Sequence, residues 1–72
     1  MTNKKIIDLL TKVIDGRKGF SILQTGEGVY RLYDDCDTFT AVFISDAIRL
    51  AADYFTGITV DAEGKAYMLF NF

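Results

Sequence analysis

Three carboxylates, Asp34, Asp35 and Asp37, crowd around the only cysteine of the chain, Cys36. Two chemistries fit that cluster, a thiolate nucleophile and a hard-cation site. A thiolate needs positive neighbours or a helix N-terminus to lower the thiol pKa. Three acids do the opposite, because negative charge disfavours the ionised form. Cys36 therefore reads as a small, half-buried loop residue. Carboxylate oxygens suit Ca²⁺ or Mg²⁺, but an EF-hand loop needs a glycine and a later glutamate at fixed offsets, whereas Phe39 and Thr40 follow here. No metal is expected, and Asp37 reads as a cap or terminator of the next element.

Histidine is absent from all 72 residues. Its absence removes the commonest general base at neutral pH and every Ser–His or Cys–His nucleophile pair. One cysteine without histidine also falls short of the four ligands of structural zinc. Gly26-Glu27-Gly28 is too short for a phosphate-binding fingerprint, which requires a third glycine and a helix opening directly after it. Arg31 occupies that third position and a strand follows. Carboxylate pairs need a cleft to shift their pKa values, and a domain this small seldom encloses one. The expectation is a protein that is not an enzyme and carries no cofactor.

Tyr30, Arg31 and Tyr33 are of the types that stack bases on RNA-binding sheets, and also of the types enriched at protein–protein hot spots. The acids nearby would repel a phosphate backbone, which leaves core packing and protein contact as the better readings.

These residues need elements to hold them. Ile6, Ile7, Leu10, Val13 and Ile14 recur at helical spacing and predict a first helix over residues 3–15, started by Thr2 or Asn3 and ended at Gly16. Residues 19–33 predict a β-hairpin turning through Gln24–Gly28. Thr38, Thr40, Val42 and Ile44 are β-branched and favour a third strand over residues 38–44, although Phe39, Phe43, Ala47 and Leu50 would extend the next helix backwards. That second helix is expected over residues 46–55, capped by Ser45, with Ala47, Ile48, Ala51, Tyr54 and Phe55 inward and Gly57 at its end. Ile58–Val60 and Lys65–Phe72 predict a hairpin around Asp61-Ala62-Glu63-Gly64, a type I turn closed by a G1 bulge. The sum is α-β-β-β-α-β-β, an α+β fold with two helices packed on one face of an antiparallel sheet, as a single compact domain over residues 1–72. The three-strands-then-helix order is similar to small arm-binding domains of recombinases in topology alone.

The final residues, Ala66 to Phe72, are apolar on both faces and carry neither the charge nor the proline that blunts an edge strand. They must lie inside the sheet or serve as a contact surface. Alternation puts Met68 and Phe70 on one face and Tyr67, Leu69 and Asn71 on the other. With one face covered by helices, Tyr67, Leu69 and Asn71 become the expected contact of a C₂ homodimer.

The net charge of −2 hides a split, since residues 1–18 sum to +3 and residues 19–72 to −5. A lone cysteine, no signal-peptide pattern and no apolar run near the ~18 residues of a membrane span together predict a cytoplasmic, soluble protein without membrane contact. Small acidic domains lacking catalytic residues are common among phage and mobile-element regulators and inhibitors, anti-CRISPR proteins included. The leading expectation is such a protein-binding module, using Glu27, Tyr33, Asp34, Asp35 and Asp37 to match a positive channel. The alternative is weak nucleic-acid binding through Lys4, Lys5, Lys12, Arg17 and Lys18.

Overall fold

The computed structural model describes residues 1–35 and 39–72. Helix α1 (Asn3–Ile14) begins where the Thr2 hydroxyl accepts the Lys5 N–H at 3.3 Å, supplying a partner that a first-turn N–H otherwise lacks. It ends at Asp15 and Gly16, both left-handed, with φ of 52° and 73°. Ile6, Leu10 and Val13 are buried, and Leu9 and Ile14 pack beside them. Ile7, expected on the same stripe, is exposed, because the helix buries a narrower arc than the sequence pattern suggests.

Strands β1 (Phe20–Gly26) and β2 (Val29–Asp34) form the expected hairpin. A register shift between Gln24 and Gly26 precedes a tight turn in which Gly28 takes φ 70°. The third strand expected over residues 38–44 does not form among the described residues. Thr40 instead caps helix α2 (Ala41–Ala51), its hydroxyl accepting the Phe43 N–H at 3.2 Å. Ser45 is thus inside the helix rather than at its start. The β-branched run loses to a helical stripe, Phe43, Ala47 and Ala51, that is fully buried. Among the described residues, the three-strands-then-helix order behind the likeness to recombinase arm-binding domains is not present. Removing the Thr40 hydroxyl (Thr40→Ala) lowers stability by about 1 kcal/mol, the usual worth of an N-cap, read as a shifted urea midpoint at constant m.

Helix α2 also stops earlier than its periodicity implies. Tyr54 and Phe55 leave it to meet the C-terminal rings, Tyr54 stacked on Phe72 at 4.6 Å and Phe55 tilted against Phe70 at 5.5 Å between ring centres. Ile48, expected inward, is exposed. Gly57 lies within strand β3 (Phe55–Val60), not at a helix end. The turn to strand β4 (Ala66–Asn71) is as expected: Gly64 N–H donates to Asp61 C=O at 2.9 Å, and Gly64 sits at φ 79°.

The element order is therefore α-β-β-α-β-β, and all strand pairs are antiparallel in the order β1-β2-β4-β3. Strand β4 is interior, which explains why a segment apolar on both faces needs no edge protection. Each half of the chain is a helix followed by a hairpin, and the halves join along β2 and β4. Both helices cover one face, where Ile6, Leu10, Val13, Tyr30, Leu32, Phe43, Ala47, Ala51, Met68 and Phe70 form the core. Tyr30 belongs to that core, its hydroxyl donating to Asn3 Oδ1 at 2.7 Å, so it does not share a surface with Arg31 and Tyr33. No helix among the described residues is long and apolar enough to cross a membrane.

Candidate protein-binding surface

The helix-free face of the sheet carries Leu23, Arg31 and Leu69 in one cross-strand row and Tyr33 beside Tyr67 in the next. Tyr67 is not left uncovered there: only 8% of its surface is accessible, and 9% of that of Tyr33. The cover comes from within the chain. Arg31 lies 4.3 Å above the Tyr67 ring, and the two tyrosine rings meet at 5.4 Å. The Tyr33 hydroxyl accepts from Arg31 Nη1 at 3.1 Å and donates to Asp61 Oδ2 at 3.0 Å, while Lys65 Nζ lies 5.6 Å over the Tyr33 ring. Of the three residues expected at a dimer contact, Leu69 is half-buried and Asn71 is exposed, its amide donating to Thr56 Oγ1 at 2.7 Å. The dimer expectation rested on Tyr67 and Leu69 both being partly uncovered, and of the two only Leu69 is.

Asp61 organises the rim of this face. Its Oδ1 accepts the backbone N–H of Lys65 and of Glu63, each at 2.9 Å. The Lys65 N–H is the main cause holding its carboxyl below the ordinary carboxylate range. Partial burial works against this, while the Tyr33 hydroxyl, the Glu63 N–H and the charge of Arg31 reinforce it. A carboxyl depressed on folding stabilises the fold above its unfolded pKa, and that stability fades as pH falls through the folded value. The wild type should therefore lose stability below about pH 4, the ordinary Asp range. Asp61→Asn should flatten that loss in urea titrations run at descending pH. An unchanged slope would contradict the arrangement.

Among the described acidic residues expected to act together, Glu27 stands apart from Asp34 and Asp35. Glu27 is exposed in the β1–β2 turn, at the opposite end of β2 from Asp34, about 20 Å away at 3.3 Å per residue. Asp34 is buried. Asp35 is exposed beside Gly19, whose carbonyl accepts the Asp35 N–H at 2.7 Å. Asp37 and Cys36 lie outside the described residues. Among the described residues no group of three or more side chains could hold a metal, and no cavity opens.

The basic set is divided too. Lys4, Lys5, Lys12 and Lys18 are exposed, whereas Arg17 is committed to the fold. It donates to the Val13 and Ile14 carbonyls at the end of α1, pairs with Asp46 of α2 at 2.9 Å, and stacks 5.2 Å from the Phe43 ring centre. The hydrogen bond from Arg17 is also the main cause lowering the Asp46 carboxyl.

A different surface stands out in the structure. Strand β3 is an edge, Phe-Thr-Gly-Ile-Thr-Val, with neither charge nor proline. Ile58 pairs with Met68 and Val60 with Ala66, so both point to the helix-bearing face. Yet 44% of Ile58 and 59% of Val60 remain accessible, because the cover given by the helices stops short of this end of the strand. The Asp61 N–H bonds the Lys65 carbonyl at 2.9 Å. Alternation along the ladder then turns the N–H and C=O of Val60 and Ile58 away from β4, to the open side. The sequence held one signal for this site, the unprotected strand itself. Its position at an edge follows from strand order, which periodicity does not encode. No family model matches this chain, nor does any curated protein or solved structure match it significantly.

Proposed function

We propose that the protein is a non-enzymatic protein-binding module that presents the edge of β3 to its partner. One observation carries this reading: a proline-free, uncharged edge strand whose outward backbone groups stand beside exposed Ile58 and Val60. Natural sheets protect such edges, because unpaired N–H and C=O groups template pairing with another chain. The small size and acidity of the domain suit a regulator or inhibitor of a larger complex. The acidic residues contribute as a dispersed field rather than as one patch, so their role is in steering encounter.

The test is affinity capture from extracts of the cells that encode the protein, comparing the wild type with Ile58→Lys/Val60→Lys. Both substitutions are at accessible positions, and circular dichroism should report an unchanged fold. The reading predicts a partner retained by the wild type and lost by the variant. An identical retained set with both proteins would remove it. Nucleic-acid binding through α1 is the second reading. Its support is the four exposed lysines, reduced by the commitment of Arg17 to Asp46 and Phe43. A low-salt anisotropy titration with DNA and RNA decides it, with no signal as the refuting result.

A further inference from the structure

We infer that the occupant of the β3 edge is an extended peptide segment with β-branched apolar residues at alternate positions and a basic residue at each end, added antiparallel as a fifth strand. The inference rests on the protein-binding reading above and names the partner's chemistry.

Three features of the edge specify that occupant. The first is hydrogen bonding. Val60 and Ile58 turn their N–H and C=O groups outward, so an added antiparallel strand bonds these two residues and not Thr59 between them. The second is side-chain direction. Residues that exchange both hydrogen bonds across a ladder share a face. The partner residues that bond Ile58 and Val60 therefore lie on the helix-bearing side, beside these two accessible apolar side chains. Every second residue of the partner is thus both the hydrogen-bonding one and the apolar one. Cross-strand β-branched neighbours are the pairs such a ledge favours.

The third feature is charge. Strand β3 is neutral, but exposed acids stand near both ends, Asp53 before it and Glu63 beyond it. Lys65, the nearest base, is turned to the opposite face over the Tyr33 ring. A second copy of the chain suits this edge poorly. Antiparallel pairing of two β3 strands about Ile58 would set Asp53 of one copy against Glu63 of the other, at both ends. Like charges placed opposite each other are destabilising. Lysine or arginine at the ends of a foreign strand meets those acids instead.

The hydrogen-bonding and side-chain arguments together give a sharp test. The probe is acetyl-Lys-Val-Thr-Val-Thr-Val-Thr-Val-Lys-amide, whose two lysines are separated by about 26 Å when extended at 3.3 Å per residue. It is titrated into ¹⁵N-labelled full chain in three further forms: N-methylated at every Thr, N-methylated at every Val, and with both Lys replaced by Glu. The Thr-methylated peptide keeps its Val edge free and cannot grow beyond a pair, because its other edge is blocked. It should bind saturably, with amide shifts confined to Thr56–Asp61. The Val-methylated peptide should give no saturable shifts. The Glu-ended peptide should bind roughly tenfold more weakly, as expected when two rim charges change sign. Equal binding by the Val-methylated and Thr-methylated forms, or shifts located elsewhere, would overturn strand addition at β3. An oligomer of the chain alone that dissolves on Val60→Lys would name a second copy as occupant and overturn it too. If no peptide binds while capture from extract still depends on Ile58 and Val60, this partner chemistry is wrong and the protein-binding reading stands. If capture ignores those two residues, the broader reading fails.

Discussion

Phe70→Ala lowers the stability of the fold by about 3–5 kcal/mol, the usual cost of emptying a buried phenylalanine site. Phe70 is fully buried on β4, opposite Tyr30 on one side and Phe55 on the other, and its ring also meets Phe72. It joins both hairpins, with Tyr30 on β2 and Phe55 on β3 as its neighbours, so the cavity it leaves cannot close by shifting one strand. A domain of 72 residues has roughly 4–11 kcal/mol in all, at 0.05–0.15 kcal/mol per residue. The variant should therefore be largely or wholly unfolded at 37 °C. Urea unfolding followed by circular dichroism checks it. Leu23→Ala, at an exposed site on β1, should change stability by less than about 0.5 kcal/mol. If Phe70→Ala cost no more than Leu23→Ala, the core as described would be wrong.

Gly28→Ala costs about 2–3 kcal/mol and Gly64→Ala only about 1–2, and the difference isolates one contact. Both glycines sit in left-handed backbone, at φ 70° and 79°, where a side chain is penalised by roughly 1–2 kcal/mol. Nothing lies within 4 Å of a Cβ built on Gly64, whereas one built on Gly28 would stand 3.1 Å from the Phe72 carbonyl carbon. The Phe72 backbone cannot easily yield, because its N–H donates to the Gly28 carbonyl at 2.6 Å and its ring stacks on Tyr54 and edges Tyr30. Thermal melts of the two variants side by side measure the gap. Equal losses would show that Phe72 gives way.

Helix α1, both hairpins and the Asp61–Gly64 turn were legible because each is a local pattern: one stripe, one alternation, one turn chemistry. Residues 40–44 carried two periods at once. Their β-branched residues alternate as in a strand, while Phe43 continues the spacing of Ala47 and Ala51. The tie was broken by what the segment could bury, since Phe43 stacks on Phe20 at 4.6 Å and on Phe39 at 5.9 Å. The end of α2 departs from its periodicity for a related reason. Tyr54 and Phe55 keep helical spacing but find better partners in Phe72 and Phe70, eighteen and fifteen positions away in sequence and on none of the local patterns. The candidate surface was hidden by the same non-locality. The C-terminal strand attracted attention as an unprotected one, and it is interior. Strand β3, equally unprotected, lies at one of the two sheet edges, and only the pairing order separates it from β4. Asp61 could have been found, because Asp is favoured at the first position of a type I turn, but its bond to Tyr33 spans the sheet.

The junction between the two halves sets how this chain reaches its native state. Each hairpin joins neighbours in sequence and forms on the scale of about 1–10 μs. The β2–β4 ladder is different, since Val29 meets Asn71 and Tyr33 meets Tyr67 across the whole of α2 and β3. Closing that long loop carries an entropy cost that no hydrogen bond repays until several pairs are in register. The expected slow step of folding is therefore the docking of the two halves along this seam. Substitutions along Leu32 and Met68 should slow refolding, while those at the Glu27–Gly28 turn should act mainly on the stability of one unit. The same division allows two chains at high concentration to exchange halves, each β2 docking on the other's β4 with that ladder's pairing kept.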